Sequence, residues 1–453
     1  MPFPPNLPPI PTDPITASNS HHPLYEPLRT RFFNARLPAT QPLEIVFPRT
    51  TADAAACIRA ARARSLHVGV RSGGHNFAAP ALVAGGLLLD TLHLNADEFS
   101  YDRRTQLVSF GPGATAARLA PWMRDDVGRF WPFGHSPSVG VGGFLCAGGQ
   151  GWFMRGWGAT GAEWVERLEV VTPDGEVRVA SRTENEDLFW AARGGGLAFF
   201  GVVTRIWGRT VRMRRVWGRT LVFGLSDGGT AKEEEEGEER SRGFEEVMEW
   251  ALETDATASP KYGVETAIVT CYTNRAEEGT RDEETTWEEL FKAQDELNPG
   301  ANGERWQCDS IFNNPKAPRS QLIEAIKPAF CDLPTRKSVG CLYISDYYPD
   351  EEDQAMCLPQ QYHVSTMTCW HDPAKDEEMK KWIYDAYSRA QPVSVGQYVA
   401  DFDENHRITK VMTDNALRRF LQIREKYDPQ EMFIGYRGLA KVLDEHPKLQ
   451  DRQ

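Results

Sequence analysis

A chain of 453 residues with a 41 % hydrophobic fraction can bury sizeable cores, and its length points to two domains rather than one. The formal net charge of −13 argues against a protein that tracks nucleic-acid phosphates or an anionic membrane surface, which leaves a small molecule as the expected ligand. The eight cysteines are scattered without CxxC pairs, so packed thiols are expected rather than a disulfide framework or a zinc site.

The first stretch, MPFPPNLPPIPTDP, is proline-rich and lacks the basic-then-apolar layout of a signal peptide, and no later uncharged run is long enough for a bilayer. The expectation is an intracellular, cytoplasmic protein with no membrane partner. After a lead-in over residues 1–40, strand-like runs alternate with an Ala/Arg-rich helix from 41 to 212: LEIVF, TADAAACIRAARARS, VGV, GLLLD, LVSFG, ERLEVVT and GVVTRI. This alternation reads as an α+β ligand-binding domain. DGGTAKEEEEGEERSRG at 227–243 has no apolar period and is assigned to a solvated loop. Residues 213–409 carry β-rich runs such as YGVETAIVTCYTN and SVGCLYISDYY beside helix-like runs such as EEMKKWIYDAYSRA, and read as a second domain. In the closing segment 410–453, TDNALRRFLQIREKYDPQEMF predicts a helix that stops at Asp428-Pro429.

Glycine is used unevenly along this chain. VRSGGHNF at 70–77 strips side chains from two positions just before it presents His75. GHSPSVGVGGFLCAGGQG at 134–151 leaves the backbone bare at Gly140, Gly142, Gly143, Gly148, Gly149 and Gly151. Such a stretch either brings main-chain N–H groups close to a phosphate or simply builds turns. A third cluster, RGGGLAFFGVVT, follows at 193–204. Gly111-Pro112-Gly113-Ala114-Thr115-Ala116 matches the dinucleotide fingerprint GxGxxA, but the segment after it shows no strand ending in an acidic residue. It is read as a turn into a helix, with a nicotinamide site at Gly111, Gly113 and Ala116 as the rival.

Taken in order, VRSGGH, GHSPSVGVGGFLCAGGQGW, NEDLFWAARGGGLAFFGVVT and KYDPQEMF resemble the berberine-bridge-enzyme-like flavoproteins of the vanillyl-alcohol-oxidase, or PCMH-type, superfamily. The resemblance spans nearly the whole chain. It implies an α+β fold: a PCMH-type two-part FAD-binding domain made of the N-terminal part and the closing segment, with an inserted substrate domain of antiparallel sheet plus helices over the flavin ring. It implies FAD bonded through its 8α-methyl to His75. The same resemblance draws the cofactor site from Arg71, Ser72, Gly73, Gly74, Asn76, Gly134, His135, Ser136, Ser138, Val139, the six loop glycines named above, Gly201, Val202 and Val203. Gly73 and Gly74 would let the ring edge approach. A histidine hydrogen-bonded in a tight turn is the plainer reading of His75, and Arg71 reads equally as a pyrophosphate donor or a salt-bridge partner. Some relatives bond the flavin a second time through a cysteine. Ser136 stands at that position here, and a hydroxyl is a poorer nucleophile than a thiolate, so one link is expected. Cys146 is the rival attachment point, or else a small buried apolar residue.

The implied reaction moves a hydride from a C–H of an alcohol, amine or sugar to flavin N5, with the electrons passed on to oxygen or another acceptor. A base must take the heteroatom proton. Many relatives carry YxNY in the strand before the closing segment; here it reads Tyr398-Val399-Ala400-Asp401, with the first tyrosine kept and the Asn and second Tyr absent. Tyr398 is either that base or a packed strand aromatic. Tyr343, Asp346, Tyr347 and Tyr348 in YISDYY are the alternatives, and strand alternation puts Tyr343 and Tyr347 on one face, Asp346 and Tyr348 on the other. His363 and His371 match no metal spacing and read as ordinary core or surface histidines. The run Trp152-Phe153-Met154-Arg155-Gly156-Trp157 lines the cleft or fills core. The missing YxNY residues keep a redox-neutral cyclase, or a flavin-binding protein without oxidation of its own, as a rival reading.

Overall fold

The computed structural model describes residues 14–16, 22–152, 160–213, 216–222, 244–252, 268–272, 279–297 and 303–450, so the acidic run at 227–243 and the aromatic residues Phe153 and Trp157 lie outside the described residues. The first sheet is built from β1 (Ile15–Thr16), β2 (Glu44–Val46), β3 (Val68–Arg71) and β4 (Leu87–Asp90) in the order β1-β2-β4-β3, and its three main strands are parallel. Parallel neighbours need a crossover, and the Ala/Arg-rich helix Thr51–Ala63 supplies it. Thr50 and Asp53 form a reciprocal capping box at its start, while Ala54, Ala55, Ile58 and Ala61 bury one face. β4 is central in this sheet and buried along its length, as its uninterrupted apolar run LLL requires.

A second, antiparallel sheet follows: β5 (Ser100–Asp102), β6 (Leu107–Phe110), β8 (Val165–Val171), β9 (Val177–Ser181) and β10 (Val202–Arg209), ordered β5-β6-β10-β8-β9. The short β7 (Arg129–Phe130) pairs with β11 (Val211–Arg212), and β12 (Val216–Val222) with β14 (Gly279–Thr285). The third sheet is also antiparallel. It contains β13 (Ile268–Tyr272), β15 (Arg305–Asn313), β16 (Val339–Tyr347), β17 (Gln360–Trp370) and β18 (Ser394–Gly396), ordered β13-β16-β17-β15-β18. One face of it, through Ile311, Leu342, Ile344, Tyr362 and Val364, packs on helices that include Asp376–Ala390. Residues of the opposite parity, Phe312, Tyr343 and His363 among them, therefore face the other way.

The closing segment returns to the first sheets. Helix Asp414–Tyr427 ends where the Asp-Pro step requires, and the Asp428 carboxylate accepts from the N–H groups of Met432 and Phe433. Met432 O accepts from Val68 N, which sews this turn to β3. Phe420 packs on Phe200, with ring centroids 5.6 Å apart. Ala355–Leu358 and Tyr398–Phe402, although inside the stretch 213–409, join this same hydrophobic core through Ala355, Met356, Leu358, Tyr398 and Phe402, beside Val411 and Met412 of the closing segment. Seven cysteines are free thiols among the described residues, and there no group of three metal-ligating side chains occurs. No described helix is long and apolar enough to cross a membrane.

Two expectations for local structure need correction. The alternation assumed for YISDYY breaks at a bulge between Ile344 and Tyr347, where Asp346 takes φ of 43°. Asp346 and Tyr348 are exposed to solvent, as the expectation that they share a face allows, while Tyr347 is buried. Tyr398 is not in a strand: β18 stops at Gly396, and Asp401 N closes a turn on Tyr398 O at 3.0 Å.

Candidate active site

The histidine turn leaves the end of β3. Two buried arginines fix its start: Arg31 and Arg71 both donate to Asp90 Oδ2, at 2.5 and 2.7 Å. The remaining contacts of Arg71 go to Leu28 O, Arg29 O and the Phe32 ring. Its guanidinium is thus committed to the fold: the salt-bridge reading of Arg71 holds, but the bridge is buried rather than on the surface. Ser72 donates to Pro112 O at 2.7 Å. A Cβ on Gly73 would lie 2.4 Å from Gly140 N, and one on Gly140 would lie 2.3 Å from Ser72 Oγ. These two glycines let the histidine turn and the second glycine loop touch. Gly74 takes φ of 75° against Arg31 O, a conformation that favours glycine.

The 111–114 turn completes this three-loop packing. Pro112 O also accepts from Gly142 N, and Ala114 O from Val141 N, so the GxGxxA match is a structural turn ahead of helix Ala116–Trp122. Most glycines of the long loop are likewise spent on protein packing: Gly134 against Val139, Gly142 on Pro112, Gly148 on Met356, Gly149 on Gly161, Gly151 on Phe133 O. Gly143 differs, since a Cβ there meets nothing within 4 Å. Gly201 presses on Val170, and Val202 and Val203 lie buried in β10.

His75 stacks on Phe33 at 4.9 Å, which stacks in turn on Trp306 of β15. Its Nε2 shares a hydrogen bond with Ser138 Oγ at 3.0 Å, and Ser138 Oγ is 3.3 Å from Ser136 Oγ. Burial pushes the His75 pKa down to about 4, against a hydrogen bond to the Ser138 backbone that raises it and with a smaller lowering by Arg31, although the residue is only half-buried. His135 behaves the same way, with burial first and His363 second lowering it to about 4. Both side chains keep accessible surface beside Ser138, Tyr343 and Trp152, so they border a hollow on this side of the third sheet. The Cys146 thiol is pushed up to about 12 by burial, which makes it an inert apolar neighbour rather than a nucleophile.

Across the hollow stands the free face of the third sheet. Register places Tyr343 of β16 opposite His363 of β17, and His363 opposite Phe312 of β15, so the three form one cross-strand row. His135 stacks on Tyr343 at 5.5 Å, Tyr343 stacks on His363 at 5.4 Å, and Tyr398 meets His363 edge-on at 5.6 Å. Trp152 closes the end of the row against His135 at 4.8 Å. His363 Nε2 lies 3.5 Å from Asp401 Oδ2, and both atoms are buried without a hydrogen-bond partner. Gln150 Nε2 donates to Gln360 Oε1 at 2.7 Å, while its backbone N–H reaches Tyr398 OH at 3.5 Å. Burial, reinforced by Asp401, raises the Tyr398 pKa well above that of an ordinary phenol. Asn76 Nδ2 donates to Ala400 O, tying the histidine turn to this wall.

Of the sequence candidates, the structure brings His75, Ser136, Ser138, His135, Tyr343 and Tyr398 together. Asp346 and Tyr348 are outside the site, and Tyr347 donates instead to Glu163. His363 matches no metal spacing and shows no acidic partner nearby in sequence; its partner Asp401 and its shared face with Tyr343 emerge only once the strands are paired. His371 is exposed near Glu304.

The residues around this hollow are compatible with a bound FAD. Gly143 opens onto free space, and Trp152 Nε1 and Gln360 Nε2 are buried polar atoms left for a ligand. Residues 42–181, which contain the histidine turn and the glycine loop, match the FAD binding domain family. The chain is 28 % identical over 430 residues to the FAD-linked oxidoreductase nodO of Hypoxylon pulicicidum, covering 91 % of this chain and 94 % of that one. A carbohydrate oxidase of Microdochium nivale is 35 % identical over 176 residues, 39 % of this chain and 35 % of that protein. Among solved structures, the berberine-bridge-enzyme-like protein 1 of Physcomitrella patens superposes with a TM-score of 0.74 at 18 % identity, over 93 % of this chain and 95 % of that one.

Proposed function

We propose that this FAD-linked oxidoreductase, with its FAD-binding domain over residues 42–181 and its berberine-bridge-enzyme-like fold, bonds its flavin to His75 and oxidises an alcohol, amine or sugar-type C–H of a small organic substrate. When bound, the flavin supplies the hydride acceptor at N5 and hands the electrons to oxygen or another acceptor. The observation that carries the reading is a desolvated, neutral histidine held by Ser138 on one wall of a hollow whose other wall is the Tyr343–His363–Phe312 row.

His75, kept neutral by burial, offers a lone pair for covalent attachment. Gly143 leaves room for the cofactor, and Asn76 and Phe33 fix the turn that carries His75. His135, Tyr343 and Trp152 offer ring faces against which a flat or ring-shaped substrate stacks and from which water is excluded. His363 takes the substrate's heteroatom proton, and Asp401 beside Nε2 stabilises the resulting imidazolium. Tyr398, held as a phenol by burial, orients the site through Gln150 rather than acting as the base. The carbohydrate oxidase relative supports the sugar member of the substrate class.

The deciding experiment is ultraviolet-excited fluorescence of the acid-treated protein band on a denaturing gel, for wild type and His75→Ala. A glowing wild-type band and a dark His75→Ala band support the reading; two dark bands refute the covalent bond. Flavin that no alcohol, amine or sugar bleaches under anaerobic conditions would instead favour the redox-neutral alternative.

A further inference from the structure

Attaching a flavin to a histidine leaves a proton to be removed from the ring. If Nδ1 forms the bond, the product is a cation until the proton on Nε2 departs, and burial disfavours that cation, an effect that a hydrogen bond to the Ser138 backbone partly offsets and Arg31 adds to. Ser138 Oγ is the hydrogen-bond partner at Nε2, at 3.0 Å, and Ser136 Oγ lies 3.3 Å beyond it. The loop that carries them is rigidly placed: Pro137 O accepts from Ala117 N at 2.8 Å, and Gly140 bridges to Thr115. Ser136 is also the position at which some relatives hold a second flavin-bonding cysteine, so here a hydroxyl pair stands in its place.

We propose that Ser138, backed by Ser136, is the positioning residue for flavin attachment: it orients the His75 ring so that Nδ1 meets the cofactor, and it accepts the Nε2 proton as the bond forms. This rests on the covalent reading above. The step balances as follows. The 8α-methyl and Nε2 each give up one proton as the Nδ1–C bond forms, and Ser138 and Ser136 relay the Nε2 proton outward, each hydroxyl passing on its own proton as it takes one up. The flavin gains two electrons, which dioxygen removes together with the two protons as hydrogen peroxide.

The test compares wild type, Ser138→Ala and Ser138→Thr, each purified and incubated with FAD in air. Flavin that precipitates with the protein in acid is separated from flavin released to the supernatant, and the covalent fraction is followed in time. Ser138→Ala is expected to attach FAD roughly ten- to hundredfold more slowly, the effect of one hydrogen bond to a charged group, while still holding acid-releasable FAD. Ser138→Thr, which keeps the hydroxyl, is expected to recover attachment. A Ser138→Ala protein that attaches at the wild-type rate overturns the proposal, as does a folded Ser138→Thr protein no faster than Ser138→Ala. Wild type with only acid-releasable flavin refutes the covalent reading itself, and with it the role of Ser138.

Discussion

Asp90→Asn is the sharpest perturbation of the frame behind the histidine turn. Asp90 is completely buried and its Oδ2 accepts from Arg31 and Arg71, themselves 3 % and 1 % exposed in their side chains. Burial raises the carboxyl's pKa, but the two guanidiniums outweigh it and hold the group below the ordinary carboxylate range. Its stabilisation is therefore complete at neutral pH and is lost only as pH falls below that range. Removing the charge leaves two buried cations without their anion, which costs about 3–5 kcal/mol. For a chain of 453 residues that melts as one unit, this corresponds to a fall in melting temperature of roughly 3–5 °C. Arg31 also donates to Ser72 O, so the loss spreads into the turn that carries His75. The assay is a thermal melt at pH 7 followed by the acid-treated gel. A variant that melts within a degree of wild type with full flavin fluorescence would refute the claim that this triad holds the turn.

Other expectations concern the two walls and the contact between them. Gly140→Ala forces a Cβ to within 2.4 Å of Gly73 N, so it should lower the melting temperature and the covalent flavin fraction together. His363→Gln should leave the flavin attached but slow anaerobic bleaching, by whichever substrate bleaches wild type, by about a hundredfold; an unchanged rate would remove His363 as the base. Burial first, and Asp353 second, raise the Glu163 pKa to about 7, so its contribution to stability is present below the ordinary carboxylate range and is lost as pH rises through 7. Melting temperature should decline over that window, and Glu163→Gln should flatten the decline. Cys146→Ala should keep the single flavin bond, and the wild-type thiol should resist iodoacetamide at pH 8 in the folded protein.

The local chemistry of the chain was legible in its residues. The helix that ends at Asp428-Pro429, the capped helix after β2, the α+β alternation and the packed thiols follow from periodicity, proline and cysteine spacing, all of which act within a few residues. So did the glycine clusters, although what the glycines serve was not. Gly73 and Gly140 are 67 positions apart, and only folding shows that each is bare because of the other. The bulge that separates Tyr347 from Tyr343 likewise depends on how β16 pairs with β17, which the strand's own residues do not specify. The same holds for the working wall. His363, Tyr343 and Phe312 become one row because three strands distant in sequence adopt a common register, and Asp401 meets His363 because a turn beyond β18 folds back over the sheet. Composition and short motifs determined that this chain makes sheets, turns and a bare loop around a histidine; strand register and loop-on-loop packing decided which side chains share the hollow, because those contacts join residues that no local pattern connects.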